Sequence, residues 1–235
     1  MSVPENSQLL ALWEHGERRH PLDRALLLYA FAAPDTPAQS LADAPLGTCH
    51  ATLMRWRQAV FGARLSVWAD CPACGERMEF ELDSTQLPPM TPAPAAVEVA
   101  GQRFRCPSSR DLAQIAGYTD VDQAANRLLQ LCAESGQQLP SDELALRHLR
   151  ETVEDAVEAA DPWADLSVLF QCPACEQCDE ACFDIARFVW DDIDARARRL
   201  LNDVHLLAQA YGWSEPQILA LSDTRRAAYL ARVCP

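Results

Sequence analysis

The chain has 235 residues, of which 49% are apolar and 23% charged, so it can form one or two domains with a hydrophobic core and is not a disordered tail. All 20 basic residues are arginine, which excludes a Walker-type phosphate loop and a Schiff-base lysine. The eight glycines are too widely spaced for a Gly-x-Gly-x-x-Gly phosphate cradle, and the formal net charge is −14.

Helical periodicity dominates the first sixty residues. The pattern predicts a short helix that ends at Gly16, a second that begins at Pro21, and a third over about residues 48–61. Apolar residues then alternate with polar ones on both sides of residues 71–75. This change of period predicts a strand, a tight turn and a return strand.

The middle of the chain changes composition. Four prolines among alanines and threonines predict an extended linker at residues 84–96. A small hairpin is predicted at residues 97–105, and Ser108-x-x-Asp111 is typical of a helix-capping box. Helices are predicted at about residues 121–133 and 142–160.

A second copy of the strand and turn follows the middle segment. Residues 166–170 repeat the strand entry and Cys172-Pro-Ala-Cys175 repeats the turn. A long helix then runs to Tyr211, and two short helices capped by Ser214 and Ser222 finish the chain.

The predicted fold class is therefore α+β, mainly α-helical, with a small β zinc ribbon built from two Cys-Pro-x-Cys knuckles that are distant in sequence. The inserted middle segment is expected to hang from this ribbon. The predicted segments are an N-terminal helical segment (1–62), a first knuckle hairpin (63–83), a Pro-rich linker (84–96), an inserted hairpin plus helices (97–162), a second knuckle hairpin (163–185) and C-terminal helices (186–235).

The two identical knuckles predict a metal site. Each Cys-x-x-Cys turn can present two thiolates to one ion, and two such turns complete a tetrahedral shell, so we expect one structural Zn²⁺ per chain held by Cys71, Cys74, Cys172 and Cys175. A redox dithiol is the other interpretation, but that motif normally occurs once, at the start of a helix. With four thiolate ligands no position is left open for water, so the ion would not be catalytic.

An iron–sulfur interpretation competes for the second knuckle. Cys172, Cys175, Cys178 and Cys182 have the spacing of a bacterial ferredoxin run, which makes Cys178 and Cys182 alternative metal ligands. Against this, Phe183 stands where that run has proline, and the first knuckle is left without a role. Four further cysteines are isolated and are expected to be small buried apolar side chains: Cys49, Cys106, Cys132 and Cys234.

The charge distribution limits the kinds of partner that the chain can bind, and the sequence motifs bear on its location and activity. Residues 140–194 carry 15 acidic residues and three arginines, and acidic residues flank both knuckles, which disfavours binding to nucleic acid or to an anionic membrane. We find no signal peptide or membrane span, and no residue set of a common enzyme class. These features predict a cytoplasmic protein that is not an enzyme.

Several short motifs occur in a characteristic order around the two knuckles. They are Leu9-Leu10-x-Leu12-Trp13-Glu14-x-Gly16, Pro21-x-x-Arg24-Ala25-Leu26, Phe61-Gly62-x-x-Leu65, the Cys71 and Cys172 knuckles, Pro107-Ser108-Ser109-Arg110-Asp111-Leu112, and Tyr211-Gly212-Trp213-Ser214-Glu215-x-x-Ile218-Leu219. Over nearly its whole length the chain resembles the T4-like phage baseplate hub assembly chaperone family, including relatives in contractile injection system and tailocin clusters. Cys178 and Cys182 depart from the family pattern, in which a glycine or histidine and an aromatic residue follow the second knuckle.

The resemblance implies a non-enzymatic, cytoplasmic factor that helps the central hub of a contractile-tail baseplate to assemble. Its partner would be a hub or spike protein, and the family supplies no catalytic residues. Three other functions remain open from the sequence: a structural baseplate component, a zinc-ribbon module that binds nucleic acid, and an iron–sulfur protein.

Overall fold

The computed structural model describes residues 3–233 and is 55% helical, which confirms the α+β, mainly helical class. The helices are α1 (Asn6–Gly16), α2 (Pro21–Ala32), α3 (Leu46–Phe61), α4 (Ser109–Ile115), α5 (Val121–Cys132), α6 (Glu143–Ala160), α7 (Ile185–Tyr211), α8 (Glu215–Leu219) and α9 (Asp223–Val233). The strands are β1 (Arg64–Asp70), β2 (Arg77–Asp83), β3 (Val97–Val99), β4 (Gln102–Phe104), β5 (Ser167–Gln171) and β6 (Cys178–Cys182). They pair as three separate antiparallel hairpins, β1 with β2, β3 with β4 and β5 with β6.

The ends of several helices follow the predicted local signals. Ser108 forms a capping box with Asp111 at the start of α4, and Ser214 forms one with Gln217 at the start of α8. Gly212 ends α7 in the left-handed conformation, with φ of 68°. Local side chains therefore fix these boundaries, as the sequence predicts.

Helix α3 begins two residues earlier than predicted because its cap comes from elsewhere in the chain. Asp161, which follows the last residue of α6, accepts a hydrogen bond from the Gly47 amide at 3.1 Å. This carboxylate satisfies a free N–H group in the first turn of α3. A Cβ at Gly47 would overlap the Asp161 carboxylate, so the close approach requires glycine.

Helix α7 is the central element of the main core. It contacts α1, α2, α3, α8 and α9, and one face of it is buried among them. That face consists of Ile185, Val189, Trp190, Ile193, Ala197, Leu200, Asp203 and Leu207. This mainly apolar face packs on the core, and its burial stabilises the helix.

The contact between α1 and α7 depends on a glycine. Trp190 packs against Gly16, and a Cβ at that position would overlap the indole ring. The Arg24 guanidinium lies over the same ring, and its carbon is 4.4 Å from the ring centroid. Arg24 also donates a hydrogen bond to the Gly16 carbonyl at 3.1 Å, which links both residues that contact the ring.

The inserted middle segment is anchored to the helical body as well as to the ribbon. It has a small core of its own, formed by Val99, Phe104, Leu129 and Val153. The Leu46 amide donates to the Pro107 carbonyl at 2.9 Å, and Arg110 forms an ion pair with Asp43. The segment therefore packs against the N-terminal helices and does not simply hang from the ribbon.

An ion pair between a half-buried arginine and a buried carboxylate holds the start of α4. Arg105 donates two hydrogen bonds to the Asp111 carboxylate at 2.6 and 2.7 Å, and Ser108 donates to the same carboxylate. Burial acts to raise the pKa of Asp111, but the hydrogen bonds from Arg105 and Ser108 lower it below its ordinary value. The charged carboxylate is thus the stable form in the folded protein.

The Pro-rich linker has little regular structure beyond a 3₁₀ turn at Ser84–Gln86, as its composition predicts. It is nevertheless packed: Leu87 and Met90 lie against the main core, and Trp163 donates a hydrogen bond to the Pro89 carbonyl at 3.4 Å. Among the helices of residues 3–233, none has the length and apolar character needed to cross a membrane.

We expect Gly16→Ala to destabilise the protein by about 1 to 3 kcal/mol, because the added methyl group would displace the buried Trp190 ring. Gly117→Ala is the matched control, since its Cβ would meet no atom within 4 Å, and it should change stability by less than about 0.5 kcal/mol. Urea unfolding followed by circular dichroism measures both. Equal effects of the two variants would show that the contact is not tight.

Candidate metal centre

The two knuckles bring four cysteine sulfurs together. The Sγ atoms of Cys71 and Cys175 lie 3.7 Å apart, those of Cys74 and Cys172 lie 3.6 Å apart, and all four fall within 4.8 Å of one another. A tetrahedral ion with metal–sulfur bonds of about 2.3 Å would separate its sulfur ligands by about 3.8 Å. The four predicted residues therefore form a group that can hold one metal ion.

Matching backbone turns position the sulfurs. In the first turn the Cys71 amide donates to the Glu76 carbonyl and the Gly75 amide donates to the Cys71 carbonyl, both at 2.8 Å. The equivalent two bonds of the second turn, at Cys172, measure 2.9 Å. Each turn is entered by one strand and left by the next, so neither knuckle begins a helix.

The two knuckle hairpins meet through side chains. Cys71, Cys172 and Met78 are buried between them, and the rings of Phe80 and Phe170 lie 6.1 Å apart between centroids. Because β1–β2 and β5–β6 are separate sheets, this small cluster and the four sulfurs form the interface. Such a small apolar core is typical of metal-stabilised ribbons.

The electrostatics of the cluster also favour a cation. A hydrogen bond from the Cys175 amide lowers the pKa of Cys172 to about 7. At Cys74 an amide of Glu76 acts to lower the pKa, but the adjacent sulfurs, led by that of Cys175, raise it to about 12. One thiolate therefore forms readily while further thiolates repel it, and a bound dication removes that repulsion.

Cys178 and Cys182 lie outside the cluster. Both are exposed on the outer face of β6, and their Cα atoms are four residue steps, or about 13 Å, apart along the strand. The Cys182 thiol donates to Asp165 at 3.3 Å. Within residues 3–233 the only group with metal-binding geometry is the four-cysteine cluster, so the structure does not bring together the ferredoxin-type set that includes Cys178 and Cys182.

The remaining described cysteines are buried, as predicted. Burial raises the pKa of Cys49 and of Cys132 to about 12, and it raises the pKa of Cys106 as well. These thiols are therefore protonated and unreactive at neutral pH. Cys234 lies outside the described residues.

One feature of the second knuckle goes beyond the prediction. Glu176 adopts a positive φ of 60°, and it occupies the position that Gly75, with φ of 74°, occupies in the first knuckle. The sequence contains a signal for this feature, because Gly75 and Glu176 each directly follow the second cysteine of their knuckle. A non-glycine residue in this conformation costs free energy.

The fold and the site together define a mainly helical α+β protein in which two knuckle hairpins bring together a four-cysteine cluster capable of binding a metal ion. No protein-family model matches this chain, and neither a curated protein nor a solved structure matches it.

We expect Glu176→Gly to stabilise the second knuckle by about 1 kcal/mol, because glycine adopts the positive φ without steric cost. The reciprocal variant Gly75→Glu should destabilise the first knuckle by a similar amount. Hydrogen exchange of the Cys172 and Cys71 amides, which close the two turns, reports each knuckle separately. Faster exchange at Cys172 in Glu176→Gly would contradict this explanation.

Proposed function

We propose that the four-cysteine cluster binds one Zn²⁺ ion with a structural role. Four thiolates in a tetrahedral arrangement are a typical closed zinc site, in which no coordination position remains for water or substrate. The sulfur separations of 3.6 and 3.7 Å support this ligand geometry. Cys71, Cys74, Cys172 and Cys175 would hold the ion, and its chemistry would be to fix the ribbon.

The proposed zinc ion joins two distant parts of the chain. Ninety-seven residues separate the knuckles, and closing a loop of about 100 residues costs ~4 kcal/mol in chain entropy. Structural zinc binding contributes about 10 kcal/mol or more, which exceeds that cost. The ion would therefore add to the helical packing that brings the two hairpins together.

Elemental analysis of the purified protein should find close to one zinc per chain. Cys71→Ser and Cys172→Ser should each lose the metal, because each removes one of four ligands from a closed shell. Cys178→Ser and Cys182→Ser are matched controls on the outer face of β6 and should retain it. A brown protein that absorbs near ~400 nm after anaerobic purification would instead indicate an iron–sulfur cluster.

We further propose that the protein is a non-enzymatic, cytoplasmic assembly chaperone for the baseplate hub of a contractile phage tail or a related injection system. The observation that carries this proposal is the order of the motifs around the two knuckles, which resembles the hub assembly chaperone family across the chain. A closed metal site, which offers no position for a substrate, supports a role in binding rather than catalysis.

The motifs that carry the resemblance occupy positions on which the fold depends. The first motif forms α1, whose Gly16 packs against Trp190. The Pro107–Leu112 motif contains the capping box and the Asp111 ion pair. In the last motif the rings of Tyr211 and Trp213 are stacked with their centroids 4.7 Å apart, at the junction between α7 and α8. A similar order of motifs would therefore build a similar fold.

The charge distribution supports a protein partner. The net charge of −14 repels nucleic acid and anionic membranes, whereas it attracts a basic protein surface. The apolar helical surface would supply affinity, and the acidic region 140–194 would act on the association rate. We therefore propose a hub or spike protein of the contractile tail as the partner.

Co-expression with the cognate hub and spike proteins, followed by affinity capture, should recover a complex. Raising the salt concentration should slow association more than it speeds dissociation, because an acidic surface mainly accelerates encounter. Mass spectrometry of mature particles should not find the chain in stoichiometric amount. Its stoichiometric presence would indicate a structural baseplate component, and failure to capture any baseplate protein would contradict both roles.

A further inference from the structure

An exposed tryptophan lies at the centre of the outer face of the β1–β2 hairpin. Strand alternation places eight residues on this face, all of them exposed: Arg64, Ser66, Trp68, Asp70, Arg77, Glu79, Glu81 and Asp83. Trp68 is 53% exposed, which is unusual for the largest apolar residue. The strand register places Glu79 directly opposite Trp68 and places Glu81 diagonally across from it.

Two carboxylates beside this tryptophan lack a charged partner. Asp70 is paired with Arg77 at 2.8 Å, and Asp83 accepts hydrogen bonds from Thr85. Among the described residues, neither Glu79 nor Glu81 takes part in an ion pair. We call Trp68, Glu79 and Glu81 together the Trp68 face.

We infer that the Trp68 face binds an arginine or lysine side chain of a protein partner. The face of an indole ring attracts a cation, and neighbouring carboxylates can accept its hydrogen bonds. The chain itself uses the first of these contacts, since the Arg24 guanidinium lies over the Trp190 ring at 4.4 Å. On the exposed hairpin Arg77, the other diagonal neighbour of Trp68, is paired with Asp70, so a cation for the ring and for Glu79 and Glu81 would come from the partner.

Charge complementarity selects this kind of occupant. Residues 64–83 carry two arginines and five acidic residues, and a zinc ion bound by four thiolates would add a further charge of −2. A second copy of the chain, itself at −14, would be repelled, as would nucleic acid or an anionic lipid surface. A basic segment of a protein is the partner that this surface attracts.

The second hairpin provides a matched comparison within the same molecule. Leu169 stands three residues before its knuckle, as Trp68 does before the first, and it faces Glu180 in the register. Leucine offers no aromatic face, and Glu180 already accepts a hydrogen bond from Ser167. The position that corresponds to Glu81 holds Cys182. The cation-binding combination is therefore particular to the first hairpin.

The first test uses the zinc-loaded full chain labelled with 5-fluorotryptophan. Fluorine NMR resolves the tryptophans, and Trp68→Phe assigns the Trp68 signal by its loss. The probe is the peptide acetyl-Gly-Arg-Gly-Arg-Gly-amide, with the same peptide carrying glutamate in place of arginine as a control. We expect the arginine peptide to shift the Trp68 signal and the glutamate peptide to leave it unchanged.

Charge variants then separate the Trp68 face from the overall field of the protein. Glu79→Gln with Glu81→Gln should weaken peptide binding by about threefold to tenfold, the effect expected for two exposed ion pairs. Asp155→Asn with Glu158→Gln makes the same change of charge on the exposed side of α6 and should alter binding by less than about twofold. An unshifted Trp68 signal, or equal effects of the two double variants, would overturn the inference.

The second test concerns the tail protein and rests on the proposed function as an assembly chaperone. Trp68→Ala should reduce capture of the co-expressed hub or spike protein by about tenfold at unchanged zinc content, whereas Leu169→Ala should not. Equal capture by wild type and Trp68→Ala would refute the Trp68 face and leave the chaperone role standing. If wild type captures neither protein, the chaperone role fails and the peptide titration alone decides whether the face binds cations.

Discussion

The four cysteine sulfurs lie within 4.8 Å of one another, so as thiolates they would repel one another strongly unless a cation lay among them. The ends of the two hairpins that lie farthest from the knuckles are anchored in the main core. Leu65 in the first hairpin and Ile185, just after the second, are both fully buried there. At the knuckle ends the hairpins meet through the cysteines, and Phe80 and Phe170 pack against this contact. Helical packing thus brings the knuckles close, and metal binding would fix their final separation.

The features that local sequence encodes were predictable. The identical knuckles, the strands on either side of them and the capping box at Ser108 each depend on residues within a few positions of one another. The candidate metal site was also predictable, because two identical Cys-Pro-Ala-Cys tetrapeptides can be recognised in the sequence whatever the number of residues between them. Strand alternation also places Cys178 and Cys182 on the outer face once β6 is assigned. Cys178 and Cys182 therefore have the sequence spacing of a ferredoxin run, but they lie outside the four-cysteine cluster.

The features that depend on distant residues could not be predicted from patterns. The cap of α3 comes from Asp161, 114 residues after Gly47, and moves the start of that helix. Trp190 selects glycine at position 16, although Gly16 by itself is indistinguishable from an ordinary helix stop. Linker packing against the main core likewise depends on Trp163, whose hydrogen bond to Pro89 spans 74 residues. Each of these contacts is specific, but only the folded chain brings the partners together.

Several arginines are used inside the fold. Those that are most deeply buried form internal pairs, such as Arg57 with Asp192 at 2.7 Å and Arg226 with Asp203 at 2.9 Å. Such pairs neutralise acidic residues within the helical body, while the ribbon keeps carboxylates such as Glu79 and Glu81 unpaired. The resulting field would raise the rate of encounter with a basic protein but would be screened by salt. A long-lived complex also needs contact area. The exposed ring of Trp68 would supply part of that area beside the unpaired carboxylates of Glu79 and Glu81.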